Sequence, residues 1–315
     1  MVWARQLGGA GTDQGTGIAV DSSGQCYVTG FFEGAASFGD QDLTSVGDQD
    51  TFICQFDSAG KVQWIQQAGA VGKSQGSAIA VDRHGNCLVT GYYDSLALFG
   101  TNIVSTVGFY DLFLAKYDPR GNLVWVHNTT SSAINGASVA TDADGNGYVT
   151  GSFIGPASFG DMALTNNSVS ELFLVKYDAD GNFIWAKQSG GQAACSGFGV
   201  AVDSAGTCYL TGSINGIASF GSKLLTSSQK SDIVVAKLLS STAASPASLT
   251  IQRLTDSQLQ IQFTGDSCAS YRLQGSVDLN QWTTLTTANA LTAPVVFIED
   301  STPARNYRFF RVVSP

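Results

Sequence analysis

The sequence predicts an all-β protein: four copies of one unit of about 61 residues, then a smaller all-β domain. Two periodicities and the composition carry this reading. Trp3, Trp64, Trp125 and Trp185 recur at spacings of 61, 61 and 60 residues. Asp21, Asp82, Asp142 and Asp203 recur at 61, 60 and 61. Charged residues make up only 13% of the chain against 43% hydrophobic residues and 36 glycines, a balance that suits many short strands and tight turns.

Each unit opens on a hairpin. The segments IAVDSSGQCYVTGFF, IAVDRHGNCLVTGYY, VATDADGNGYVTGSF and VAVDSAGTCYLTGSI place two apolar runs about an Asp-x-x-Gly tetrapeptide. The Asp side chain caps a type I turn, and the Gly takes the left-handed position that closes a bulged hairpin. These turns fall at Asp21–Gly24, Asp82–Gly85, Asp142–Gly145 and Asp203–Gly206. The tetrapeptides ASFG, ALFG, ASFG and ASFG follow. A second hairpin then turns at Asp57–Gly60, Asp118–Gly121 and Asp178–Gly181, so a complete unit supplies four antiparallel strands.

The third strand is apolar on both faces, as in Leu112-Phe113-Leu114-Ala115, Leu172-Phe173-Leu174-Val175 and Ile233-Val234-Val235-Ala236. Such a strand belongs to a sheet packed between other sheets, the condition met by the blades of a β-propeller. The fourth copy stops near Ser240 without a Trp-bearing strand, and the chain begins with an orphan one, Met1–Leu7. Pairing Met1–Leu7 with Ile233–Leu238 would remove the open edge. The expectation is therefore a four-bladed β-propeller over residues 1–239, closed by the N-terminal strand; an open array, or a ring completed by a second chain, is the competing reading. Residues 240–249 read as a linker and 250–315 as a small C-terminal β-sandwich, because SLTIQRL, QLQIQFTG, YRLQGSVD, WTTLTTA, VVFIED and YRFFRVV alternate as short strands.

The A-V-D-x-x-G-x-x-Y-V-T-G run, the A-S-F-G tetrapeptide and the Asp-x-x-Gly-Asn…Trp ending resemble the bacterial β-propeller repeat family of the SBBP type, and more loosely NHL repeats. The resemblance covers residues 1–239. It implies an extracellular or cell-surface protein and carries over no catalytic residues. The tail resembles fibronectin-III-like modules on secreted bacterial proteins.

The remaining chemistry is sparse. Net charge is −9, which argues against a nucleic-acid partner. No apolar stretch is long enough to span a bilayer, and Met1–Gln6 has no signal-peptide core. Cys26, Cys54, Cys87, Cys195, Cys208 and Cys268 include no CxxC pair, so free thiols are expected and no metal site. Cys26, Cys87 and Cys208 share one place in the repeat, where the third copy has Gly147. His84 and His127 accompany no nucleophile motif. Asp142-Ala-Asp144-Gly-Asn146 and Asp178-Ala-Asp180-Gly-Asn182 look like calcium-loop fragments but lack the closing Glu, and turn chemistry accounts for them.

Two repeated sets remain as site candidates. Trp64, Trp125 and Trp185 with Phe38, Phe99, Phe159 and Phe220 are either inter-blade core or platforms on which sugars would stack. Asp50, Asp111, Glu171 and Asp232 open the third strand, and Gln55, Lys116, Lys176 and Lys237 follow five residues later. Five is an odd step, so an acid of one blade is expected to meet a base of the next. The functional expectation is a non-catalytic interaction or structural module with no cofactor, presenting loops to a protein or glycan partner or to copies of itself. A lectin-like propeller and an enzyme on a propeller scaffold are the alternatives.

Overall fold

The computed structural model describes residues 1–160, 162–166, 168–238, 248–255, 258–264, 270–278, 281–289, 295–300 and 309–313. The chain divides into two units, Met1–Ser240 and Ser241–Pro315.

In the first unit, three repeats each form an antiparallel sheet whose four main strands pair in chain order. Repeat 1 uses Gln14–Val20, Cys26–Phe32, Asp50–Phe56 and Val62–Ala70. Repeat 2 uses Ser74–Val81, Cys87–Tyr93, Asp111–Tyr117 and Leu123–Asn128. Repeat 3 uses Thr130–Thr141, Gly147–Phe159, Glu171–Tyr177 and Phe183–Gln188. Among the described residues, repeat 4 has three main strands, Ala194–Val202, Cys208–Asn215 and Asp232–Leu238.

The Asp-x-x-Gly turns form as their chemistry requires. At Asp21 the backbone amide donates to the Gln25 carbonyl at 3.0 Å, and the Gly24 amide donates to the Asp21 carbonyl at 3.1 Å. The same pair of bonds recurs at Asp57, Asp82, Asp118, Asp142, Asp178 and Asp203. Gly24, with φ +79°, and Gly121, with φ +82°, stand in the left-handed region that a side chain disfavours.

The tetrapeptide segments form a small second hairpin, Ala35–Phe38 with Gln41–Thr44 in repeat 1. Its partner on the other side comes from the preceding fourth-strand segment. Ala68 and Ala70 of repeat 1 pair with Phe99 and Ala97 of repeat 2, and Gly8 and Gly9 pair with Ser37 and Ala36. Gly190 and Gly191 do the same to Ser219 and Ala218. The chain thus hydrogen-bonds to the next repeat as it leaves the last one.

The core lies between consecutive sheets. Tyr27 and Ile53 of repeat 1 pack with Ile79, Val89 and Phe113 of repeat 2. Leu88, Leu112 and Leu114 pack with Val139, Val149 and Phe173 of repeat 3. Tyr148, Leu172 and Leu174 pack with Leu210 and Val234 of repeat 4. Both faces of the third strands of repeats 1, 2 and 3 are buried, which is why those strands read as continuous apolar runs; in repeat 4 only one face is covered.

The expected ring closure is corrected. Residues 1–7 form no strand, and the Asp232–Leu238 strand pairs only with Cys208–Asn215 among the described residues. The leading segment instead lies on the second turn of repeat 1. Trp3 stacks on Phe56 at 6.0 Å and donates its Nε1 to the Ser58 carbonyl at 3.1 Å, while Arg5 Nε donates to the Gly60 carbonyl at 2.7 Å. Trp64 makes the same kind of contact with the Pro119 carbonyl of the next repeat while its own strand pairs with Asp50–Phe56, so what the leading segment lacks is only the strand partner from a preceding repeat. Both outer faces of the array are open: Ile18 is 68% exposed on repeat 1, and Ile233 is 84% exposed on repeat 4.

In the second unit, Ser248–Thr255, Gln258–Thr264 and Val295–Asp300 form one three-stranded antiparallel sheet. Thr283–Asn289, Ser270–Ser276 and Phe309–Val313 form another. The six expected strands are all present, and Ile261 and Leu273 on the two central strands are fully buried. The first strand starts at Ser248, inside the expected 240–249 linker; the rest of that linker, and Cys268, lie outside the described residues.

Candidate interaction surface

The repeated aromatic residues are mostly buried, the phenylalanines on their own repeat and Trp64 and Trp125 against the next. Phe38, Phe99 and Phe159 are 1% exposed or less, and each rests on the third-strand phenylalanine of its own repeat (Phe52, Phe113 and Phe173) at 5.0, 4.9 and 5.2 Å. Phe220 is half-buried against the repeat 4 core. Trp64 is buried, and its Nε1 donates to the Pro119 carbonyl of repeat 2 at 3.1 Å. Trp125 donates likewise to Ala179 of repeat 3 at 3.4 Å. Trp185 is half-buried and meets Tyr148 of its own repeat edge-on at 6.2 Å. A sugar needs an open ring face, and Phe38, Phe99, Phe159 and Trp64 have none, so the stacking-platform expectation is corrected for these four.

Five of the turn aspartates, Asp21, Asp118, Asp142, Asp178 and Asp203, are held as carboxylates. Burial pushes the Asp142 carboxyl up, but the side chains of Asn146 and Tyr148, the Asn146 amide and the Lys176 ammonium outweigh it, and the net shift is downward. Asp21, Asp118 and Asp178 follow the same balance: burial is the largest single influence, and hydrogen bonds from their own turns override it. Lys176 Nζ stands 3.5 Å from Asp142, and Lys116 Nζ stands 3.8 Å from Asp82. Each of these pairs lies within one repeat, which corrects the expectation of acid–base pairing across repeats. What crosses is a hydrogen bond, from Lys116 Nζ to the Ala179 carbonyl at 2.8 Å. In repeat 1, Gln55 takes the lysine's place and donates to Tyr27 Oη at 2.8 Å.

The acids that open the third strand do different work. Asp50 accepts from the Val46 and Ala70 amides at 2.8 and 3.0 Å. Asp111 accepts from Val107 and Ser131 at 3.1 and 3.3 Å, and Asp232 accepts from Ser228 at 2.9 Å. Burial pushes the Asp111 carboxyl up against the pull of these bonds. These carboxylates fix the loop just before the third strand in repeats 1, 2 and 4, a role that an acid closing a four-residue loop could have signalled.

Those loops make the most exposed apolar surface near a groove. Gly108 tucks beneath the next repeat: a Cβ there would run into the Ser131 and Ser132 carbonyls. The Phe109 amide donates to the Ser132 carbonyl at 2.9 Å, as the Asp48 amide does to Gly72 at 2.9 Å in repeat 1. So held, Phe109 projects outward and is 82% exposed. With Val107, Ser131, Ser132, Pro156 and Ser158 it lines a shallow groove of about 580 Å³. At the tip where repeat 2 has Phe109, repeat 1 has Asp48, repeat 3 has Val169 and repeat 4 has Lys230, all exposed. Alongside runs a chain of polar contacts: Gln49 Nε2 donates to Glu33 at 2.6 Å, Gln75 Nε2 to Gln49 at 2.6 Å, and Tyr92 Oη to Gln75 at 2.8 Å.

Neither histidine lines this groove, although His127 lines a second one that shares Ser158 with it. His84 occupies a turn, its amide donating to Asp82 at 2.8 Å, and His127 stacks flat on Tyr177 at 5.2 Å. Burial pulls the His127 pKa down. Among the described residues, no group of three or more His, Cys, Asp or Glu could hold a metal ion, and no helix is long and apolar enough to cross a membrane.

Fold and repeat together define an all-β protein built from propeller-type repeats. Residues 2–30 and 63–92 match the β-propeller repeat family model. Each match starts at a Trp-bearing segment and ends in the first hairpin of the following repeat, the grouping that the Trp seats impose. The chain is also 34% identical to an uncharacterised WD repeat-containing protein of Acanthamoeba polyphaga mimivirus, over 44% of this chain and 11% of that protein. The chain therefore matches only a small part of that relative's length.

Proposed function

We propose that the chain is a non-catalytic interaction module, in which stacked repeats hold a row of dissimilar loop tips toward a protein partner. The observation that carries this is Phe109, an 82% exposed aromatic residue on a loop fixed by Asp111 beside a groove. The framework repeats while the exposed tips change from Asp to Phe to Val to Lys. That is the pattern of a scaffold whose variable positions meet something, and exposed aromatic anchors dominate protein interfaces. The match to β-propeller repeats supports the same reading. A glycan partner loses support because the ring faces that would serve it are largely packed between repeats. The second unit, of fibronectin-III-like size, serves in this proposal as a spacer or docking unit. An extracellular or cell-surface setting is part of the proposal and rests on the resemblance to SBBP-type proteins.

Panning a displayed random-peptide library against the full chain, in parallel with a glycan array, tests the reading. The expected result is peptides whose binding falls at least tenfold in Phe109→Asp. Glycan hits without peptides, or peptides indifferent to Phe109→Asp, would overturn it.

A further inference from the structure

The two outer faces of the repeat array are the halves of an interface that the array makes three times within itself. Thr29 Oγ1 occupies the space where a Cβ on Gly76 would stand, and Thr90 and Thr150 do the same for Gly136 and Gly197. The fourth threonine of this set, Thr211, is exposed on repeat 4. The fourth glycine, Gly15 of repeat 1, is uncovered: its Cβ would meet only Val28, at 3.8 Å.

The apolar positions tell the same story. Leu112 and Leu172 are 1% and 2% exposed, whereas Ile233 at the same place in repeat 4 is 84% exposed. Leu114 and Leu174 are 0% and 1% exposed, against 74% for Val235. On the opposite face, Ile79 and Val139 are 6% and 7% exposed, against 68% for Ile18. The strand edges also match. Leu114 pairs with His127 and Leu174 with Lys187, two residues beyond the tryptophans. The equivalent partner for Val235 is Arg5, in a segment whose side chains are already seated on the Ser58–Gly60 turn and which forms no strand.

We propose that these halves meet between two copies of the chain. Repeat 1 of one copy stacks on repeat 4 of another, Thr211 fits beneath Gly15 of the neighbour, and residues 2–7 of the neighbour complete the edge of the Asp232–Leu238 strand. The occupant is a second copy because the matching face is already present in the chain, while a single chain leaves both halves uncovered. The two faces differ, so the contact is head-to-tail: two or more copies close a ring where the rotation between them allows it, and a filament forms where it does not.

Sedimentation velocity of the full chain over a hundredfold concentration range tests this. The expected result is concentration-dependent assembly of the wild type, weakened at least tenfold by Gly15→Ala at an unchanged melting temperature, because that Cβ has room in the free repeat. Mixing an Arg5→Cys chain with a Val235→Cys chain under mild oxidation should give covalent dimers beyond those each variant forms alone. A wild type that stays monomeric, assembly indifferent to Gly15→Ala, or an Arg5→Cys/Val235→Cys double variant that crosslinks only within one chain would each overturn the proposal.

Discussion

The Trp64 indole lies across Gly121 of the following repeat, so close that a Cβ on the glycine would stand 2.7 Å from Cδ2. Gly121 therefore meets two demands at once. Its φ of +82° closes a turn, and its missing side chain makes a seat for a neighbour. Gly60 under Trp3 and Gly181 under Trp125 repeat the arrangement, with clearances of 2.5 and 3.0 Å to Cδ2.

This separates two kinds of turn glycine. Gly24 has a similar φ of +79°, but the nearest atom to its Cβ would be Ser58 Cβ at 3.7 Å. Gly24→Ala should cost only the backbone strain, about 1–2 kcal/mol. Gly121→Ala adds an overpacking penalty of about 1–3 kcal/mol. Urea unfolding should rank Gly121→Ala as the more damaging; equal losses would count against the seat.

Lys116 gives a second prediction. Its ammonium is buried between Asp82 and the Ala179 carbonyl, so Lys116→Ala leaves a buried carboxylate unpaired and should cost about 3 kcal/mol. Lys116→Gln imitates the Gln55 of repeat 1, which serves the same site with an uncharged donor, and should cost about half as much. Chemical denaturation of the two variants measures the difference.

The position of Lys116 also shows how far the sequence could be read. Its Asp-x-x-Gly turns and two-faced third strands were legible because local backbone chemistry and period-2 alternation fix them. Its partner was not. Strand parity assigns a side chain to a face but says nothing of which turn arches over the end of that face, and here the turn belongs to the same repeat. Met1–Leu7 was misread for a related reason. The sequence shows a strand of the right kind, and Trp3 and Arg5 make the turn contacts expected of it, but its strand pairing needs repeat 4 to meet repeat 1, which no local pattern fixes. Burial of Phe38, Phe99 and Phe159 follows from repetition itself, since a residue that recurs in every copy usually serves the joint between copies. The Phe109 surface was illegible because its exposure depends on a loop pinned by Asp111. Gly147, the exception among the cysteine positions, faces Leu88 so closely that a Cβ would clash.

Acid should loosen the array. Asp21, Asp118, Asp142, Asp178 and Asp203 have folded-state pKa values below the ordinary 3.8. The unfolded chain therefore binds protons at these groups more readily than the folded one. Their stabilisation is complete above the unfolded value and is lost as pH falls through the lower folded values. Asp111 opposes this, because its raised pKa favours the folded state at low pH. Glu33 is lowered as well, so six carboxyls against one set the net sign. Melting temperatures should fall as pH drops below about 4, and Asp142→Asn should flatten the profile. A melting temperature that rises with acid would contradict the turn assignment.

The central claim is that Trp3, Trp64 and Trp125 are each seated on a turn of the next repeat, and a double-mutant cycle on Trp64 and Gly121 tests it most directly. With the ring removed in Trp64→Ala, Gly121→Ala should lose its overpacking penalty, giving a coupling of at least about 1 kcal/mol by urea unfolding. Costs that add to within about 0.3–0.5 kcal/mol would mean that the two residues do not touch, and the stacking of repeats described above would be wrong.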